Sequence, residues 1–172
     1  MNTIRTDTLV LEPQLTAHAA EMFDVLSDPA IYEFENSPPE SLGWLERRFA
    51  GLESRLSPNG EEQWLNWVVR LPTGVLAGYV QASVAKDHTA HVAYELGSKF
   101  WRKGIGTAAV SAMLEELAAR YAVRTFVATL KTRNYRSRAF LKKLGFAPRA
   151  PPGVRAVSAE SDEIVMYRVD GT

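Results

Sequence analysis

The chain has 172 residues, 46% of them hydrophobic and 23% charged, and its formal net charge is zero. This length predicts a single domain over residues 1–172, and the lack of a basic excess argues against a nucleic-acid partner. The absence of cysteine excludes disulfides, thiolate zinc sites and a thiol nucleophile, and no segment has the pattern of a signal peptide or a membrane span, so we expect a cytoplasmic protein without a membrane partner.

The N-terminal part of the chain predicts one strand and two helices. Residues 8–11 are typical of a short strand, and Thr16 is a candidate N-cap for a first helix. The segment Ser37-Pro38-Pro39-Glu40 has the pattern of a capping box with proline at the first helical position, so a second helix is expected to begin there. The apolar residues at helical spacing are Ala19, Met22, Phe23 and Leu26 in the first helix and Leu42, Leu45, Phe49, Leu52 and Leu56 in the second.

The rest of the chain predicts six strands and two further helices. One helix follows the glycines near residue 105, and the other covers residues 134–144 with Gly145 as its C-cap. The strands are predicted at residues 64–70, 75–84, 89–96, 125–130, 146–147 and 163–169. This order of elements predicts a mixed α/β sandwich.

A glycine-containing loop, FWRKGIGTAA, precedes the third predicted helix. Backbone N–H groups in such a loop, with a helix N-terminus behind them, form an anion site, and a phosphate or pyrophosphate suits it; a tight turn without a ligand is the alternative. The loop lacks the P-loop pattern. It matches G-x-G-x-x-A of a dinucleotide fingerprint, but the segment Gly97-Ser98-Lys99-Phe100-Trp101 intervenes after the strand, and no acid ends the next strand. A nicotinamide-dependent enzyme is therefore the weaker alternative.

Two motifs resemble signatures of the GNAT superfamily of N-acetyltransferases. YELGSKFWRKGIGTAA, residues 94–109, resembles its pyrophosphate loop, and NYRSRAFLKKLGF, residues 134–146, resembles its second signature. Trp101 lies three residues before the first glycine of this loop. A tryptophan at this position resembles the motif of the branch of ribosomal-protein N-terminal (Rim-type) acetyltransferases. The resemblance implies a GNAT-like α/β (α+β) fold, with a mixed, mostly antiparallel central sheet of about seven strands and helices on both faces.

The resemblance also implies acetyl-CoA as the cosubstrate. Its pantetheine arm would lie between two splayed strands, where Leu96 offers backbone groups to the thioester, and Asn134 would bind the same arm. Arg138 or Lys143 would meet the remaining phosphate; a solvated helix face is the alternative for Lys143. The pyrophosphate would be held by backbone donors at Arg102, Lys103, Gly104, Ile105, Gly106 and Thr107. A basic segment agrees with this, since residues 99–149 hold twelve Lys/Arg and only two Glu.

In the same family an amine attacks the acetyl carbonyl directly and a carboxylate or imidazole takes its proton. Glu95 is the first candidate for this base, because it lies on the strand beside the thioester; Glu33 and Glu35 are its rivals. Many members place a tyrosine seven residues after the asparagine to protonate the leaving thiolate, but Leu141 stands at that position. Ser137 is the nearest polar substitute.

The acceptor is left open by the sequence. Residues 1–64 carry twelve Asp/Glu against four Lys/Arg, which favours a cationic amine: a protein N-terminus, a polyamine or an aminoglycoside. His18, His88 and His91 are too few and too far apart for a metal cage, so no metal is expected. The oligomeric state is open, a homodimer included. A non-catalytic acyl-CoA-binding sensor is the alternative to an enzyme, and Leu141 favours it.

Overall fold

The computed structural model describes residues 1–170 and contains one seven-stranded sheet whose strands lie in sequence order. Within this range β5 and β6 are the parallel pair, and the other neighbouring strands run antiparallel. The strands are β1 (Ile4–Arg5), β2 (Val10–Pro13), β3 (Glu62–Arg70), β4 (Leu76–Ala85), β5 (Thr89–Leu96), β6 (Thr125–Lys131) and β7 (Glu163–Val169). The helices are α1 (Ala19–Leu26), α2 (Leu42–Leu52), α3 (Ile105–Tyr121) and α4 (Tyr135–Lys143).

Helices cover both faces of the sheet, as the family resemblance implies. On one face α1 and α2 bury Met22, Leu45 and Phe49 against Val68 of β3. On the other face α3 and α4 bury their apolar residues against the alternate positions of the same strands, including the fully buried Trp67. This alternation leaves the side chains of odd-numbered residues on β5 pointing to the α1/α2 side and those of even-numbered residues pointing to the α3/α4 side.

The starts of the first two helices differ from the prediction. Thr16 begins a single 3₁₀ turn, Thr16–His18, and its hydroxyl donates to Glu53 instead of capping α1. The second helix begins at Leu42, because Ser41 is its N-cap and accepts a hydrogen bond from the Trp44 N–H at 3.1 Å. The Ser37–Glu40 capping box is therefore wrong. Two consecutive prolines there favour an extended backbone for the residues before them.

The predicted strand at residues 146–147 is reduced to a single bridge between Ala147 and Tyr167, and β1 was not predicted. Strands β5 and β7 have the predicted bounds. The sheet therefore has seven strands, but one of them is a two-residue strand that the sequence pattern does not reveal. None of the helices in residues 1–170 combines the length and the apolar character that crossing a membrane requires.

Candidate functional site

The central feature of the site is a gap between β5 and β6. The two strands pair at Thr89↔Thr125, Ala90↔Phe126 and His91↔Val127, and within the described residues their ladder ends there although β5 continues to Leu96. The Gly97 N–H donates to the Ala77 carbonyl of β4 at 3.0 Å. Because successive residues of a strand direct their N–H and C=O groups to opposite sides, the backbone groups of the preceding residue, Leu96, point into the gap. The gap thus offers hydrogen-bonding backbone to an extended ligand.

The glycine loop lies at the end of this gap and presents a row of donors. Arg102 and Gly104 adopt left-handed backbone conformations, with φ of 60° and 80°, and Gly104 is the N-cap of α3. Among residues 1–170 no acceptor pairs with the six N–H groups from Arg102 to Thr107. Free N–H groups at the start of a 17-residue helix form an anion site.

The glycine at position 106 keeps this site open. A side chain at Gly106 would meet Leu96 at 3.2 Å and the ring of Phe140 at 3.6 Å. The space beside the first turn of α3 is therefore limited by β5 on one side and α4 on the other. Three elements that are far apart in sequence converge at this point.

The start of α4 supplies the second group of predicted residues. Asn134 is the N-cap, and its Oδ1 accepts a hydrogen bond from the Ser137 N–H at 3.0 Å, which leaves its amide NH₂ for a ligand. The Nε of Arg138 is buried and has no partner among the described residues, so an anionic ligand would satisfy it. Lys143 is exposed at the far end of the helix.

Glu95 lies on the α1/α2 face of β5, opposite Tyr79 of β4. Burial raises the pKa of its carboxyl, and the Tyr79 hydroxyl beside it acts in the opposite direction. Glu35 further raises this pKa, while Arg48 and Asn36 lower it. A half-buried carboxylate with a raised pKa has the properties of a general base.

The two rival acids lie on the loop between α1 and α2, residues 27–41, which we call the acceptor loop. Glu33 forms an ion pair with Arg136 of α4, with 2.6 Å between its Oε2 and the Nη2. Glu35 is close enough to Glu95 to influence its pKa. The structure thus brings Glu35 to Glu95 and engages Glu33 elsewhere.

A residue that the sequence reasoning did not single out, Tyr94, lies on the opposite face of β5. Its ring packs edge-on against Phe140, with 4.9 Å between centroids, and its hydroxyl is buried without a partner among residues 1–170. The Ser137 side chain faces this hydroxyl, but the two groups do not reach hydrogen-bonding geometry. Burial raises the pKa of Tyr94 to about 12, so the hydroxyl keeps its proton at neutral pH.

Leu141, at the position where the resembled family often has a tyrosine, is buried in the core of the sheet and α3. It therefore serves packing. No group of three His, Cys, Asp or Glu in the described part of the chain is arranged to hold a metal ion.

Comparison with known proteins identifies a matching family. The family model of the acetyltransferase (GNAT) domain matches residues 8–147. A search of curated proteins found no match.

Solved structures give the same fold at low identity. A ribosomal-protein-S5-alanine acetyltransferase from Vibrio fischeri is 18% identical with a TM-score of 0.79, and 98% of this chain and 97% of that chain are covered. A RimL ribosomal L7/L12 α-N-protein acetyltransferase in complex with coenzyme A is 16% identical with a TM-score of 0.79 and 98% coverage of both chains. A GNAT-family acetyltransferase from Bacillus anthracis is 15% identical with a TM-score of 0.75, again with 98% coverage of both.

Proposed function

The chain belongs to the acetyltransferase (GNAT) domain family, and we propose that it moves the acetyl group of acetyl-CoA to a primary amine by direct attack. One observation carries this proposal: the gap between β5 and β6 has the six free N–H groups at its end and the Glu95 carboxylate at its side. The N–H groups suit the phosphates of an acyl donor. The carboxylate suits an acceptor that must lose a proton. Both lie near the end of β5.

Acetyl-CoA fits the polar groups that lack partners. Its pyrophosphate would be bound by the N–H groups from Arg102 to Thr107, and the buried Nε of Arg138 would take a further anionic oxygen. The pantetheine arm would lie between β5 and β6, where the amide of Asn134 and the backbone of Leu96 can hydrogen-bond to it. The Leu96 carbonyl already accepts from the Trp101 indole at 2.8 Å, so its N–H is the group left for the thioester oxygen.

Glu95 acts as the base that keeps the acceptor amine uncharged. An amine attacks only through its free lone pair, so a proton must leave before or as the new N–C bond forms. Because the pKa of Glu95 is raised, it lies closer to the pKa of an ammonium group than the pKa of an exposed glutamate does, which favours proton transfer.

The backbone N–H of Leu96 stabilises the oxyanion that develops as the amine adds to the carbonyl. The C–S bond then breaks and the coenzyme leaves as a thiolate, which takes a proton from solvent or from a nearby hydroxyl. Two hydroxyls on the α4 side are candidates for this proton: the protonated Tyr94 hydroxyl and the Ser137 side chain that faces it. A thiol with a pKa of about 8.5 is a good leaving group, so this proton contributes modestly.

The acceptor is an amine that is cationic in solution. The charge of Glu35 acts on the Glu95 carboxyl, and the acceptor loop, residues 27–41, carries four Asp/Glu and no Lys or Arg, so this side of the site suits an ammonium group. The names of two similar structures, an S5-alanine acetyltransferase and an L7/L12 α-N-protein acetyltransferase, support a protein N-terminus. Polyamines and aminoglycosides share the charge and belong in the same screen.

A thiol-release assay tests the proposal. Acetyl-CoA would be mixed with a peptide beginning in Ser or Ala, with spermidine and with kanamycin, and free coenzyme A thiol measured against a thiol reagent. We expect release above the rate without amine for at least one acceptor class. If acetyl-CoA binds and none of these amines releases thiol, the sensor alternative, which the aliphatic Leu141 favours, replaces the enzyme.

A further inference from the structure

Resting on the proposed function, we infer that Arg136 is a positioning residue: it fixes the acceptor loop, and so the wall of the amine site beside Glu95, against the acetyl-CoA side of the site. Arg136 itself lies in the first turn of α4, next to the Asn134 cap. Neither of the two sequence motifs assigns it a role.

The Arg136 side chain contacts both sides of the site. On the acceptor side it pairs with Glu33 at 2.6 Å, and its guanidinium carbon lies 5.4 Å from the centre of the Phe34 ring. On the acetyl-CoA side the same carbon lies 5.1 Å from the Trp101 ring of the glycine loop and 5.6 Å from the Tyr135 ring. One guanidinium therefore joins the acceptor loop, the glycine loop and α4.

The neighbouring residues hold Phe34 from two more directions. Arg133 donates to the Phe34 carbonyl oxygen at 2.6 Å, and Tyr135 packs edge-on against the Phe34 ring with 5.7 Å between centroids. Both the backbone and the side chain of Phe34 are thus held by the segment that starts α4. Phe34 precedes Glu35 and Asn36, which face Glu95. Fixing Phe34 therefore fixes the two residues that surround the base.

The start of the acceptor loop is anchored separately, by Asp28 and by Tyr32, whose hydroxyl donates to the Leu26 carbonyl at 2.9 Å. Asp28 accepts a hydrogen bond from the Ser98 N–H at 2.8 Å and caps the Pro29–Tyr32 turn through Ala30. Beyond these anchors the loop runs to Ser41, and Asn36 within it has a left-handed backbone with φ of 62°. Arg136 holds this middle part together with its neighbours Arg133 and Tyr135.

The planar guanidinium matters more than the charge. Both members of the Glu33–Arg136 pair are substantially exposed, with 48% and 40% of their side-chain surface accessible, so the ion pair alone is weak. Contact of a flat cation with three aromatic rings is a geometry that lysine does not reproduce. We therefore expect Arg136→Lys to recover only part of the function lost in Arg136→Ala.

The kinetic test uses the amine that gives the fastest thiol release in the screen above. In Arg136→Ala the KM for this amine should rise about tenfold, while the KM for acetyl-CoA changes less than about twofold, since Trp101 keeps its hydrogen bond to Leu96. Arg136→Lys should be intermediate. Lys86→Ala is the matched control, because it breaks an exposed ion pair with Glu61 (3.0 Å) outside the site. Equal changes in both KM values, or none, would overturn the inference.

A second measurement needs no acceptor and separates this inference from the proposed function. Limited proteolysis by a Glu-specific protease, cutting after Glu33 or Glu35 in the acceptor loop, should become about tenfold faster in Arg136→Ala than in the wild type or in Lys86→Ala. Unchanged cleavage of the loop would overturn the positioning role even if the wild type is an active enzyme. Faster cleavage with no turnover by the wild type would instead remove the proposed function and leave Arg136 as the residue that holds the loop.

Discussion

At the scale of single residues, Glu95 is the one whose substitution should affect the proposed acetyl transfer most. Its carboxyl is half-buried on β5 with Tyr79 opposite, and burial raises its pKa. Glu95→Gln keeps the shape but cannot accept a proton, so kcat/KM for the amine should fall by about a hundredfold or more while acetyl-CoA still binds. In the wild type the same quantity should fall with decreasing pH through a pKa above that of an ordinary glutamate. A variant with full activity would exclude Glu95 as the base.

The same pKa shift has a consequence for stability. A carboxyl whose pKa is raised in the folded state stabilises the protein most below its unfolded-state pKa, and this contribution is lost as the pH rises through the raised value. At a pH above this raised pKa, the charged carboxylate therefore destabilises the fold. Glu95→Gln should unfold at a higher temperature than the wild type at pH 7, and the difference should shrink at pH 4. The carboxylate that the proposed reaction needs would then lower the stability of the fold.

Tyr94 is the second residue whose role can be tested alone. Its hydroxyl is buried and makes no hydrogen bond among the described residues. Tyr94→Phe removes this unpaired polar group, so the free energy of unfolding should be unchanged or higher. If this hydroxyl protonates the leaving thiolate, kcat should fall by about tenfold with an unchanged KM for acetyl-CoA. Steady-state kinetics beside thermal unfolding check both parts. An unchanged kcat would assign Tyr94 to packing against Phe140.

At the scale of the secondary-structure elements, β4 and β5 approach each other closely at Glu95. A side-chain carbon at Gly78 would lie 2.0 Å from the Glu95 carbonyl oxygen. This distance is too short for two non-bonded atoms, so only glycine fits at this point of β4. Gly78→Ala should lower the free energy of unfolding by about 2–3 kcal/mol, as overpacking does. Gly51→Ala is the control, because a side chain there would meet nothing within 4 Å and α2 should gain about 0.5–1 kcal/mol. Urea unfolding measures both; equal effects would refute the close-approach argument.

The elements also show which features the sequence reveals. Strands β5 and β7 were predicted with the right bounds because alternating apolar residues between turn signals are a local pattern. The start of α2 was wrong, because Ser37 and Ser41 both have the chemistry of an N-cap and only the chain path decides between them. The strand Ile4–Arg5 exists through its pairing with β2, so two residues of local sequence could not predict it.

At the scale of the whole molecule, the site combines local motifs with long-range contacts. The glycine loop and the Asn134 cap lie within contiguous motifs, so both could be predicted from the sequence. The Glu33–Arg136 pair and the Tyr94 hydroxyl facing Ser137 join positions far apart in the chain, and residue spacing carries no information about such contacts. The charge asymmetry was visible in the sequence, and it corresponds to a basic segment, residues 99–149, that contains the glycine loop and α4, and to the acidic loop of residues 27–41.

The central claim is that the gap between β5 and β6 binds acetyl-CoA. Thermal unfolding of the intact chain with acetyl-CoA, and separately with NAD(H), NADP(H) and ATP, tests it most directly. At about 100 times its Kd, a ligand stabilises the fold by roughly 2.7 kcal/mol, which for this size is a rise in Tm of about 5–10 °C. We predict such a rise with acetyl-CoA. No rise with acetyl-CoA together with a rise with a nicotinamide nucleotide would contradict the account.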